Sequence, residues 1–140
     1  MVVQVEDFVT VASDGGAPNG ISFTIPGEPI AQNGWKVRFR GLPFPVIFDP
    51  HSKAKKTLRK AIKQAMQEFD APQFPHRNML NVRVRFLLKR RYPKDLDNMS
   101  KFLLDALEGA VYPNDDAIVL LIVSKKFSNS AKTEIEITSL

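Results

Sequence analysis

Cysteine is absent from the 140 residues, which excludes disulfides, thiolate metal sites and cysteine nucleophiles. Histidine is scarce: only His51 and His76 occur, both in turn-like contexts and without the spacing of a zinc site. No apolar run approaches the length of a bilayer span. Met1 to Gly20 carries Glu6, Asp7 and Asp14 but no Lys or Arg, so the chain start lacks the basic character of a signal or transit peptide. There is no phosphate-cradling P-loop and no GxGxxG, and Ser52 has no evident triad partner. These absences leave the compartment open; the expectation is a protein that lies in the cytoplasm with its partner, an organellar or phage origin standing as the alternative, with no membrane partner and no small-molecule cofactor.

Charge of both signs is plentiful. The 20 Lys and Arg outweigh the 15 Asp and Glu to give a net charge of +5, at 44% hydrophobic residues. That balance builds a core and a polarised surface, and it favours polyanionic partners, nucleic acid above all. The length fits one domain.

Residues 1–12 alternate loosely through Val3, Val5, Val9 and Val11, and a Gly/Pro/Asn-rich stretch follows to Gly20. Residues 1–20 therefore read as an extension, partly ordered at best, before a globular unit over 21–140. Ile21 to Ile25 alternates as a strand ended by Pro26-Gly27. A long loop then carries Lys36, Arg38 and Arg40 among Trp35 and Phe39, with Pro29, Pro43 and Pro45 against helix. A helix follows from Ser52 as N-cap, with Ala54, Leu58, Ala61, Ile62, Ala65 and Phe69 on one face and Lys53, Lys56, Lys60 and Lys63 on another.

Leu80 to Leu88 alternates as a half-buried strand and exits through the basic run Lys89-Arg90-Arg91-Tyr92-Pro93-Lys94. A second helix runs from about Asn98 to Glu108 and stops at Gly109. The unbroken apolar content of Ala117 to Val123 predicts a buried strand, and Thr133 to Thr138 predicts an alternating last one. The fold class is α/β (α+β): a small mixed β-sheet with two main helices.

The chemistry concentrates around that second helix. In extended chain the carboxylates of Asp95 and Asp97 face one way, and a divalent cation relieves their repulsion. The bland alternative is an N-cap. Asp115-Asp116 is good turn chemistry, yet Asp116 stands at the mouth of a strand, a usual place for a functional carboxylate. If that strand lies beside Leu80–Leu88, the acidic sites converge at one sheet edge. Lys101 follows Asp97 by one helical turn, either as part of a surface Asp97–Lys101–Asp105 ladder or as an ammonium beside a metal-bound phosphate. The basic run Lys89, Arg90, Arg91 and Lys94 abuts the acids, Lys53, Lys56 and Lys60 offer a basic helix face, and Lys36, Arg38 and Arg40 lie on a loop; carboxylates for a cation with positive flanks to hold a strand are what a metal hydrolase for DNA requires.

In order and spacing, Asp95-Leu96-Asp97-Asn98-Met99-Ser100-Lys101, then Leu104-Asp105-Ala106-Leu107, then Asp115-Asp116-Ala117 resembles the RusA family of Holliday-junction resolvases, over about Ile21 to Thr138. The resemblance implies a homodimeric, Mg²⁺-dependent crossover junction endodeoxyribonuclease acting on four-way junction DNA, with Mn²⁺ able to substitute. By matched position it implies Asp95, Asp97 and Asp116 as metal-binding catalytic carboxylates, Lys101 as the catalytic lysine, and Asp115 as a further metal-ligand candidate. A broader branched-DNA or flap nuclease and a non-catalytic junction-binding protein are the competing readings.

Overall fold

A computed structural model describes residues 2–5, 9–13, 20–32, 36–38, 46–48, 50–74, 79–91 and 94–139, the segments 2–5, 9–13, 36–38 and 46–48 by backbone alone. The strands are β1 (Val2–Val5), β2 (Val9–Ser13), β3 (Gly20–Pro26), β4 (Lys36–Arg38), β5 (Val46–Phe48), β6 (Leu80–Leu88), β7 (Ile118–Phe127) and β8 (Lys132–Ser139). The helices are α1 (Ser52–Glu68) and α2 (Leu96–Leu107). One sheet runs β1-β2-β3-β8-β6-β7, and β4 and β5 pair separately. Every neighbour in the large sheet is antiparallel except β6 and β7, which are parallel. The sheet is therefore mixed, and the fold is α+β.

Alternation in the sequence becomes two-sidedness in the sheet. Phe23, Ile135 and Val84 sit opposite one another across β3, β8 and β6, as do Ile21, Ile137 and Val82. These residues are buried in one core with Ile62, Ala65 and Met66 of α1 and Met99, Leu103 and Leu107 of α2. The other face of β6 and β8 is polar, with Arg85 and Glu134 opposite each other and 3.8 Å apart. Parallel strands cannot be joined by a tight turn. The crossover from β6 to β7 is α2, packed against α1 on the core side.

Four expectations are corrected. The loosely alternating residues 1–12, read as part of an extension, hold two paired antiparallel strands, β1 and β2, that extend the sheet beyond β3. The N-cap of α1 is His51, with Ser52 already helical and no side-chain cap bond. The second helix begins at Leu96, two residues before the predicted start, so Asp97 lies in its first turn rather than in extended chain. β7 is not buried. It forms a sheet edge, and Val119, Leu120, Leu121, Ile122 and Phe127 are between 39% and 53% exposed. A continuous apolar run suits a strand covered on both faces, and within this chain β7 is not covered so. No described helix is long and apolar enough to cross a membrane.

Candidate active site

Asp95 occupies the N-cap position of α2 with extended backbone (φ −70°, ψ 131°), yet its side chain makes no cap hydrogen bond. Capping therefore does not account for this carboxylate. Its Oδ2 accepts instead from Asn98 Nδ2 at 3.3 Å, which orients it from the same helical turn. Asp97 is solvent-facing, and Lys101 Nζ lies 3.2 Å from its Oδ2, both side chains more than half exposed. Two carboxylates and an ammonium thus crown the N-terminus of α2, where the helix dipole adds to the positive potential.

The expected ladder stops at Lys101. Asp105 turns to α1, where Lys55 Nζ donates to its Oδ2 at 2.9 Å and Arg59 donates to its backbone carbonyl. Asp105 also belongs to another acidic group. Among the described residues, Asp105, Glu108 and Asp115 bring one ligand atom each within 4.8 Å of one another. This group could hold a cation, although Lys55 already neutralises one member. Burial raises the Tyr112 hydroxyl well above the ordinary tyrosine range, and the charges of Asp115, Glu108 and Asp105 push it the same way.

That group also locates Asp116. The backbone N–H of Asp116 donates to Asn114 Oδ1 at 3.1 Å in a short 3₁₀ turn over Asp115–Ala117, and its side chain is exposed. Asp115 meets Asp105 and Glu108 at the C-terminal end of α2, whereas Asp95 and Asp97 stand at the N-terminal end. The ten residue steps from Asp95 to Asp105 correspond to about 15 Å of helical rise. The expected convergence thus does not occur within one chain. β7 does lie beside β6, as the sequence suggests, but it runs parallel to it, so Asp116 enters at the start of β6 while Asp95 follows its end.

The connection from β6 to α2 is held from beneath. Glu28, just past β3, accepts from the backbone N–H groups of Lys89 at 2.8 Å and Arg90 at 2.9 Å through Oε1. Its Oε2 lies 3.5 Å from Lys94 Nζ. Lys94 Nζ also donates to the Pro29 carbonyl at 2.7 Å, and Lys125 Nζ donates to the Lys94 carbonyl at 2.7 Å. Burial would raise the Glu28 carboxyl, but the two backbone donors and the Lys94 charge outweigh it and hold the group below its ordinary 4.5. Sequence reasoning missed Glu28. Its only signal is a lone acid beside Gly27 and Pro29, far along the chain from the basic run it meets.

The basic residues divide. Lys53, Lys56 and Lys60 are exposed on α1, and Lys89, Arg90 and Arg91 are exposed after β6, with Arg91 stacked 4.9 Å over the Phe127 ring. Lys94 points inward at 15% side-chain exposure. Lys36 and Arg38 lie on β4, of which only the backbone is described, and Arg40, Trp35, Phe39 and His76 lie outside the described residues. His51 packs edge-on against Phe102 with ring centroids 6.2 Å apart.

A family model described as Endodeoxyribonuclease RusA matches residues 26–138. The chain belongs to the RusA endodeoxyribonuclease family. The match spans every element from the end of β3 to β8 and includes both acidic segments and Lys101. Membership makes nuclease chemistry on DNA the framework for this site, and nuclease chemistry accords with exposed carboxylates beside exposed cations. A comparison with curated proteins found no match.

Proposed function

We propose that this RusA-family protein is a divalent-metal-dependent endonuclease that resolves four-way DNA junctions as a homodimer. Each active centre joins Asp95, Asp97 and Lys101 of one copy to Asp116 of the other, with Asp115 beside it. The observation that supports this reading is the parallel pairing of β6 with an apolar edge strand. Exposed edges with large apolar side chains invite pairing with another chain. A two-fold contact brings the same strand from each copy together. If β7 meets its twin antiparallel, the start of one β7 lies beside the end of the other. Asp116 then reaches the partner's α2 N-terminus. Lys125, already bonded to the residue before Asp95, shows how near that end of β7 runs to the carboxylate pair.

The donor set suits magnesium, which prefers a few carboxylates together with waters and phosphate oxygens. A bound Mg²⁺, or Mn²⁺ in its place, supplies an activated water and neutralises charge on the scissile phosphate. Asp95, Asp97 and Asp116 would hold it. Asn98 keeps Asp95 aimed. Lys101, which lies 3.2 Å from Asp97 and is exposed, would stabilise charge on the phosphate oxygens. Lys53, Lys56, Lys60, Lys89, Arg90 and Arg91, with Lys36, Arg38 and Arg40 of the β4 region, would grip the DNA backbone. The two-fold arrangement of two centres matches the paired cuts that a junction requires, in whichever compartment holds that DNA.

The test is Mg²⁺-dependent cleavage of a synthetic four-way junction, compared with flap and linear duplex substrates. Wild type should cut the junction fastest, and Asp97→Asn should abolish cutting. Equal rates for Asp97→Asn and wild type would show the metal assignment wrong; equal rates on junction and flap, both above linear duplex, would favour a general branched-DNA nuclease.

A further inference from the structure

We infer that Glu28 is a positioning residue for the active centre, a carboxylate clamp that closes the basic connection between β6 and α2 and so fixes where Asp95 and Asp97 stand. This rests on the proposed role of those two carboxylates and deepens it.

The connection over residues 89–94 has a mechanical problem. It carries Lys89, Arg90, Arg91 and Lys94 within a few residues, and like charges this close repel. It also emerges from a rigid strand and must deliver α2 in one orientation. Glu28 touches both of its ends: the N–H groups of Lys89 and Arg90 where β6 stops, and the Lys94 ammonium where Asp95 begins. Hydrogen bonds to an ionised acceptor are short and strong, and these two are. The clamp stands on firm footing, because the Gly27 N–H donates to the Ala131 carbonyl at 3.1 Å beside β8. Gly27 adopts φ 97°, a conformation that suits glycine, and this turns the chain so that Glu28 points at the loop.

The rest of the segment reinforces the same end of α2. Pro29 shares Lys94 through its carbonyl, and the Gln32 N–H donates to the Asn98 carbonyl at 3.0 Å. Asn98 is the residue that orients Asp95. Residues 28–32 thus underlie the N-terminus of α2 from Lys94 to Asn98. Catalysis with metal needs its ligands held to within a fraction of an ångström, and small displacements cost rate steeply.

The experiment compares wild type, Glu28→Ala and Glu28→Gln, with Asp97→Asn as the inactive control. Ile137→Val serves as a core variant that lowers stability without touching the clamp. Three quantities are read: amide hydrogen exchange across residues 89–98, kcat and KM on a junction, and the Mg²⁺ concentration at half-maximal rate. We expect Glu28→Ala to speed exchange at Lys89 and Arg90 while β6 stays protected. Its kcat should fall by about 10- to 100-fold at little change in KM, with a raised Mg²⁺ requirement. Glu28→Gln keeps an acceptor for the two N–H groups but loses the charge facing Lys94, and it should fall between. Ile137→Val should leave the Mg²⁺ requirement where wild type has it. Unchanged exchange, or faster exchange with kcat and Mg²⁺ requirement intact, overturns the clamp alone. No cleavage by wild type, or full cleavage by Asp97→Asn, overturns the nuclease reading and the catalytic role of the clamp with it.

Discussion

Lys55 and Asp105 join the two helices: the ammonium of α1 lies 2.9 Å from the carboxylate of α2, with the Lys55 side chain only 9% exposed and that of Asp105 41% exposed. The pair separates two kinds of lysine in this protein. Asp105→Asn takes away a carboxylate that faces a mostly buried ammonium, so it should lower stability by about 1–3 kcal/mol, less than for a fully buried pair because Asp105 is half in water. Lys101→Ala removes an exposed pair instead and should change stability by no more than about 0.5 kcal/mol while abolishing cleavage. Urea denaturation and junction cleavage on both variants check this.

Mixing two inactive variants tests whether the centre is shared. If copies pair as proposed, Asp97→Asn and Asp116→Asn homodimers should each be inactive. In a mixed dimer one centre keeps all of its carboxylates and the other loses two. Random exchange of subunits makes half of the dimers mixed, so activity should return to roughly a quarter of wild type. A centre built within one chain would give no recovery.

The apolar edge is open to a single charge. Ile122, 43% exposed in the middle of β7, should become a wedge when changed to glutamate. Ile122→Glu should sediment as a monomer, retain the circular dichroism of the wild type, and lose cleavage.

Glu28 makes stability depend on acid. Its carboxyl titrates lower in the folded protein than the ordinary 4.5, so the folded state favours the ionised form. That stabilisation is complete above the unfolded value and disappears as pH falls through the folded one. Wild-type Tm should therefore drop more steeply than that of Glu28→Gln as pH is lowered below 4.5, and the two curves should run parallel near neutrality.

Tyr112 is fully buried, but its hydroxyl is only 3.5 Å from the Leu104 carbonyl, a weak bond. Tyr112→Phe should cost less than about 1 kcal/mol, whereas Tyr112→Ala should cost about 3–5 kcal/mol by leaving a cavity. Thermal unfolding distinguishes the two contributions.

Local pattern carried much of this fold. β6 is legible from Leu80 to Leu88 because alternation and burial coincide there, and Gly109, at φ 84°, does end α2. The one-turn spacing of Asp97 and Lys101 was legible too, and the two pair at 3.2 Å. What escaped was long-range. Nothing local reveals that Asp105 answers Lys55, that Glu28 answers Lys94, or that β7 runs parallel to β6. The β7 residues read as buried because hydrophobicity records a need for cover and not its source.

The parallel run of β6 and β7 has one more consequence. Each chain carries its two groups of acids at opposite ends of α2, so if copies share their centres, a solitary one holds half of two scissors and a whole of none. Cutting would then follow the square of protein concentration when copies are scarce, and DNA would be spared until enough partners had been made.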